Sequence, residues 1–237
     1  LPKNSRAVYH WCYQEEYEVS ANHSYNARPQ FVLALTLMSL IYLLDLCAVA
    51  ICAITTTLEA RHRDLDLFGV LVIAVISGIG GGTLRDILLG RLPVYWIHDP
   101  VYVVVGLLAG TLTFFLGRKL AFPKNFFLIP DAIGLALFTV IGTSVALKLG
   151  APWLIAALMG VITGVFGGVL RDILCNQLPL IFRTDIYATA SLAGALLFIA
   201  LDAYALNQAA AMLCAMSTIV VIRLAAIHWH LQLPRLK

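Results

Sequence analysis

Two stretches of this chain carry the same combination of residues. Gly81-Gly82-Thr83-Leu84-Arg85-Asp86-Ile87-Leu88 recurs as Gly167-Gly168-Val169-Leu170-Arg171-Asp172-Ile173-Leu174. Adjacent glycines weaken a helix at its middle, because they add backbone freedom and remove side chains. An arginine and an aspartate follow one turn later, inside segments otherwise apolar enough for a bilayer. Ionised groups at that depth are costly and mark a water-lined path or a binding site. The arrangement occurs twice, at matching places in two halves of one chain, which points to a duplicated membrane pore or carrier.

Two more carboxylates belong with these groups. Asp45 and Asp131 lie within apolar segments, each ahead of one Arg-Asp pair. Asp45 is placed to pair with Arg85, and Asp131 with Arg171. Such pairs would fix helix register, line a pathway, or do both. Each set of Asp, Arg and Asp sums to one negative charge, which favours cations over anions. The candidate pore or substrate residues are therefore Gly80, Gly81, Gly82, Arg85, Asp86, Gly167, Gly168, Arg171, Asp172, Asp45 and Asp131.

Other chemistries find no support. Gly78-Ile79-Gly80-Gly81-Gly82 lacks a following Lys-Ser/Thr, and its context is transmembrane, so it is no nucleotide loop. No Ser-His-Asp set or carboxylate pair suited to catalysis stands at membrane depth, so an enzyme is not expected. His228 and His230 face different ways on a helix. The five cysteines form no C-x-x-C pair, and four lie in apolar segments where they act as packing residues. No metal, cofactor or nucleic-acid partner is expected.

These residues must be held by helices. The 237 residues are 61% hydrophobic and 12% charged, with a mean hydropathy of +0.89. Soluble domains carry roughly 25% charged residues. The apolar runs are continuous rather than alternating, which indicates an all-α membrane protein and not a barrel. Seven spans are expected: Phe31–Ala60, Leu67–Gly90, Pro100–Leu116, Phe126–Lys148, Pro152–Cys175, Thr184–Leu201 and Leu206–His228. Asp99 should cap the third, with Pro100 at its first position. Gly117, Pro123 and Gly150 punctuate the connections. Residues 1–30 are polar and aromatic-rich, and read as a disordered or misassigned tail.

At a constant offset of 86, Asp45 matches Asp131, Gly78 matches Gly164, Pro93 matches Pro179 and Asp99 matches Asp185. One ungapped register is expected through each half. Residues 31–122 form the first three-helix repeat and 123–203 the second, with 204–237 as a seventh helix and tail. Three is odd, so the second repeat enters the membrane inverted. The glycines of spans two and five should then break their helices near mid-depth, freeing backbone groups for water or a permeant ligand. Gly106 with Gly110, and Gly160 with Gly164, instead have the spacing of close helix packing. Phe166 replaces the first glycine of the triplet, so the halves are not equivalent. Arg61, Arg63, Arg118, Lys119, Lys124, Arg183, Arg235 and Lys237 gather on one side. The positive-inside rule puts that side in the cytoplasm and the N-terminus outside.

From about Ile41 onward the chain resembles the bacterial trimeric intracellular cation (TRIC) channel family, also known as the UPF0126 or glycine-transporter-domain inner-membrane family. The residues carrying the resemblance are Leu44-Asp45, Leu65 to Val70, Gly80 to Asp86, Pro130-Asp131-Ala132, Gly167 to Asp172 and the ending Leu233-Pro234-Arg235. The resemblance implies a homotrimer in a bacterial inner membrane, in contact with lipid, with an hourglass pathway in each protomer. Kinked helices two and five would line it. The implied activity is passive permeation of monovalent cations, chiefly potassium. A carrier for glycine or another small zwitterion suits the same residues, with arginine holding the carboxylate and aspartate the ammonium.

Overall fold

The computed structural model describes residues 28–61, 63, 65–119, 127–183, 186–204, 207–229 and 231. Most of the tail, Pro123, Lys124, Asp185 and the Leu233-Pro234-Arg235 ending lie outside the described residues, as do the side chains of Arg118 and Lys119. The chain falls into two compact units, residues 1–40 and 41–237, and all packing discussed here is within the second.

Among the described residues the regular structure is entirely helical: α1 (Arg28–Ala60), α2 (Leu67–Leu88), α3 (Tyr95–His98), α4 (Val101–Lys119), α5 (Leu128–Lys148), α6 (Trp153–Leu174), α7 (Leu180–Arg183), α8 (Ala188–Ala203) and α9 (Gln208–Trp229). Five stretches are long and apolar enough to cross a membrane: Leu40–Ala60, α2, α5, α6 and α9. The expected third and sixth spans are shorter apolar helices, Val101–Gly117 and Ala188–Ala203. Short α3 and α7 precede them, built from Tyr95-Trp96-Ile97-His98 and Leu180-Ile181-Phe182-Arg183. Asp99 caps α4 as expected, its Oδ1 accepting from Val101 N at 3.0 Å. Asp66 caps α2, its Oδ1 accepting from Gly69 N at 2.7 Å.

Helix α6 is central, packed by α2, α5 and α8, while α9 lies on α5 and α8. Small residues make these approaches possible. A methyl at Gly160 would strike Thr143 Oγ1 and Thr139 O, and one at Gly164 would lie 3.0 Å from Leu135 O. Gly106 and Gly110 likewise face Val75, Val49, Leu71 and Ala74, so the packing assigned to these four glycines holds. Threonines in the apolar helices return their hydroxyls to the backbone one turn earlier, as Thr57 does to Ala53 O and Thr163 to Met159 O. This satisfies a polar group where water is scarce. Thr139 Oγ1 and Ser191 Oγ share a hydrogen bond of 2.7 Å between α5 and α8. Large apolar side chains such as Phe68, Leu112, Trp153, Leu213 and Val221 are exposed on the outside, as a surface meeting lipid or another protomer requires.

The offset of 86 survives in hydrogen bonds. Helix α2 ends with Gly90 N donating to Ile87 O and Arg91 N to Asp86 O. Helix α6 ends with Asn176 N donating to Ile173 O and Gln177 N to Asp172 O. Gly90 (φ 69°) and Asn176 (φ 52°) both adopt the left-handed conformation that this termination needs. The single ungapped register does not hold, however. Asp86 accepts from the N–H of Tyr95, nine residues on, while Asp172 accepts from that of Leu180, eight residues on. The turn into α7 is one residue tighter, so the offset becomes 85 at the short helices.

Candidate functional site

Neither α2 nor α6 is broken at its glycines. Each is one uninterrupted helix from end to end. What the glycines do instead is let the two helices touch. A methyl on Gly81 would collide with the carbonyl oxygen of Thr163, and one on Gly167 would lie 2.7 Å from that of Ser77. Ser77 and Thr163 are themselves 86 apart. The crossing is therefore reciprocal: each helix presents a bare glycine to the carbonyl four residues before the other's glycine. Backbones this close also permit Cα–H···O contacts. Gly80 faces the tip of the Leu170 side chain, which would have to shift to admit a methyl there. Gly82 and Gly168 each face a tyrosine, with a methyl falling 2.6 Å from the Tyr95 ring and 2.8 Å from Tyr187 Oη. The expected break is replaced by close contact, because the freed space is filled by the partner helix.

A charged cluster lies toward the end of each helix, fully buried. In the first, Asp86 Oδ1 accepts from Arg85 Nε at 2.9 Å and pairs with Nη2 at 2.8 Å. Its Oδ2 caps α3 through Tyr95 N at 3.1 Å. The Arg85 guanidinium stands 5.6 Å from the Tyr95 ring centroid. Half-buried Arg91 reaches within 3.8 Å of Asp86. In the second, Asp172 Oδ1 accepts from Arg171 Nε at 2.8 Å, and its Oδ2 caps α7 through Leu180 N at 2.7 Å. Arg171 stands 5.2 Å from the Phe127 ring centroid. Asp86 and Asp172 thus orient arginines and satisfy buried N–H groups at the starts of the short helices.

The remaining carboxylates part company. Asp131 Oδ1 receives Arg171 Nη1 at 2.6 Å, which is the expected pair. The corresponding pair of Asp45 with Arg85 does not form. Asp45 Oδ2 accepts instead from Tyr102 Oη at 3.1 Å. Tyr102 comes from the start of α4 and stacks edge-on with Tyr95, at 4.6 Å between centroids. With Tyr102 bonded to Asp45 Oδ2, the carboxylate that Arg85 bonds is Asp86.

Sequence reading missed three contributors. Tyr102 and Tyr187 sit beside Asp45 and Asp131 respectively, and 85 residues separate them. The one-residue slip at the short helices was needed to see them as counterparts. Arg223, on α9, is 1% exposed. Its Nη1 donates to Ile186 O at 2.7 Å, and its guanidinium lies 4.7 Å from the Tyr187 ring centroid. Several polar atoms of the second cluster are buried without a partner: Asp131 Oδ2, Arg171 Nη2, and Nε and Nη2 of Arg223. Buried groups of this kind demand water or a ligand.

Two buried arginine–aspartate clusters, joined by helices crossing at glycines, define a multi-pass membrane protein with a duplicated polar interior. A family model described as Glycine transporter matches residues 42–118 and 128–203, one match for each half. The chain is 43% identical over 197 residues to the UPF0126 inner membrane protein YadS of Escherichia coli K12, covering 82% of this chain and 95% of that protein. It is 42% identical over 200 residues to a UPF0126 membrane protein of Vibrio cholerae, covering 83% and 82%. Among solved structures, the TRIC trimeric intracellular cation channel orthologue from Rhodobacter sphaeroides is similar with a TM-score of 0.78 and 39% identity, covering 81% of this chain and all of that one. A prokaryotic TRIC channel crystallised in 0.5 M KCl is similar with a TM-score of 0.77 and 28% identity, covering 83% and 100%. The chain belongs to the UPF0126/TRIC family.

Proposed function

We propose that this protein passively conducts monovalent cations, chiefly potassium, across a bacterial inner membrane. Each protomer of a homotrimer carries its own pathway, lined by α2 and α6. Seven helices cross the membrane as two inverted repeats plus α9, with the N-terminus outside and the C-terminus in the cytoplasm. The observation that carries this reading is the reciprocal crossing at Gly81 and Gly167, flanked by buried charges at matching positions of two halves. Backbone carbonyls facing glycines, with carboxylates beyond them, suit a cation shedding its water. Because α2 and α6 touch there, conduction requires them to part at the glycines. Similarity to solved cation channels supports the same reading.

Purified protein in a planar bilayer should give discrete single-channel steps in potassium chloride. Replacing Arg85 and Arg171 by alanine should alter conductance. Unchanged conductance with lowered stability would leave those arginines only a role in helix register. A second reading, a carrier for a small zwitterion, draws on one specific observation. Asp131 Oδ2 and Arg171 Nη2 are an unpartnered acceptor and an unpartnered donor in one cluster, where Gly168 removes side-chain bulk. An electrically silent protein that loads liposomes with labelled glycine would establish that reading in place of the channel.

A further inference from the structure

Arg223 is the one member of the second cluster contributed from outside both repeats. No carboxylate of the described residues lies within ion-pair distance of it. Its stabilising contacts are neutral, a backbone carbonyl and a tyrosine face. It is therefore a full positive charge added to the site rather than half of a closed pair. Around the first cluster the charged groups are Asp45, Arg85 and Asp86, with Arg91 at the rim, its side chain 35% exposed. Around the second they are Asp131, Arg171, Asp172 and Arg223, none more than 6% exposed. The position matching Arg91 holds the uncharged Gln177. Each half thus has one extra arginine, but solvent screens Arg91 while protein surrounds Arg223.

We propose that Arg223 sets the cation preference of the second site, holding it neutral so that a cation rests beside Asp45 and not beside Asp131. This rests on the channel reading, and it makes Arg223 a specificity-determining residue of the pathway. Two of its nitrogens, Nε and Nη2, are buried without a protein acceptor, so its charge is not spent on a hydrogen-bonded carboxylate. Asp45 offers the opposite condition. Its Oδ1 makes no hydrogen bond to the described residues, and its only close donor is a neutral phenol.

Thallium(I), a potassium surrogate, provides the test. Its binding to purified protein is measured by thallium-205 NMR and equilibrium dialysis for the unaltered chain, R223Q, R223K and D45N. R223Q should gain about one further thallium ion per protomer, because the charge opposing it is gone. R223K should bind as the unaltered chain does, and D45N should lose the resident ion. In bilayers under a potassium chloride gradient, R223Q should move the reversal potential toward the potassium equilibrium value, with R223K unmoved. No added thallium in R223Q, an equal gain in R223K, or full retention in D45N would each overturn the proposal. D45N leaves Arg223 in place, so full retention of thallium there overturns the proposal even where R223Q fails to fold. An unaltered chain that carries no potassium current would refute the channel reading, while the thallium measurements would still settle the charge assignment.

Discussion

The two charged clusters began from one sequence pattern and are held together differently. In the second, Asp131 is locked to Arg171 at 2.6 Å, and a third element contributes Arg223. In the first, Asp45 is released from its arginine and rests on Tyr102, with Arg91 loosely at the rim. A duplicated motif therefore need not be a duplicated site. The Arg-Asp neighbours bond to each other in the same way in both halves, because that bond spans adjacent residues on one helix. Contacts to other helices diverge, because Tyr102 and Arg223 enter from elements whose positions no local rule dictates.

The largest effect should separate the two aspartates. Replacing Asp131 with alanine removes one of the two carboxylates that hold buried Arg171, leaving Asp172, and should destabilise the protein by about 3–5 kcal/mol. The same change at Asp45 removes one hydrogen bond from a phenol and should cost about 1–3 kcal/mol. Equal losses in detergent unfolding would break the distinction. Next comes the crossing that both halves share. Gly81→Ala and Gly167→Ala should each cost about 1–3 kcal/mol through overpacking against a carbonyl. Gly106→Ala should cost far less, since its nearest neighbour stands 3.5 Å from the new methyl. Matched losses at Gly81 and Gly167 would support the reciprocity of the crossing, and a loss at only one would refute it.

Double-mutant cycles sharpen the comparison further. Asp131→Asn with Arg171→Gln should show coupling of about 1–3 kcal/mol, and Asp45→Asn with Arg85→Gln less than about 0.5 kcal/mol. Substantial coupling in the second cycle would mean that Asp45 and Arg85 do pair. A small effect is also expected at the hydrogen bond of α5 with α8, which lies on one side only. Thr139→Val with Ser191→Ala should couple by about 0.6 kcal/mol. A larger value would mark the second half as rigidified by more than its ion pair.

Much of this molecule is legible from residue order. The apolar runs, the cap at Asp99, and the packing glycines at Gly160 and Gly164 follow from composition and spacing. The pair of Asp131 with Arg171 follows too, since both lie toward the same ends of neighbouring spans. The glycine motif was misread because adjacent glycines have two physical uses. They loosen a helix, and they admit another backbone. Nothing in Gly80-Gly81-Gly82 distinguishes these until the facing surface is known, and here that surface is the carbonyl edge of the partner helix. The third and sixth spans were legible close to where their helices stand, but the short helices α3 and α7 ahead of them were not, for a related reason. Apolar sequence continues through the region of α3 and α7, but the carboxylates of Asp86 and Asp172 draw those residues into separate turns.

Residue order alone was enough for the membrane class, the offset of 86, the twofold recurrence of an arginine beside an aspartate, and the family. Those properties depend on bonds reaching a few residues along one chain and on apolar segments long enough for a bilayer. Tertiary structure decided which carboxylate an arginine could reach, that glycines join helices instead of opening them, and that Arg223 enters the second cluster. Each of these depends on which face of one helix meets which face of another. Distances between such faces are set by packing over the whole bundle, and no spacing within a single segment encodes them.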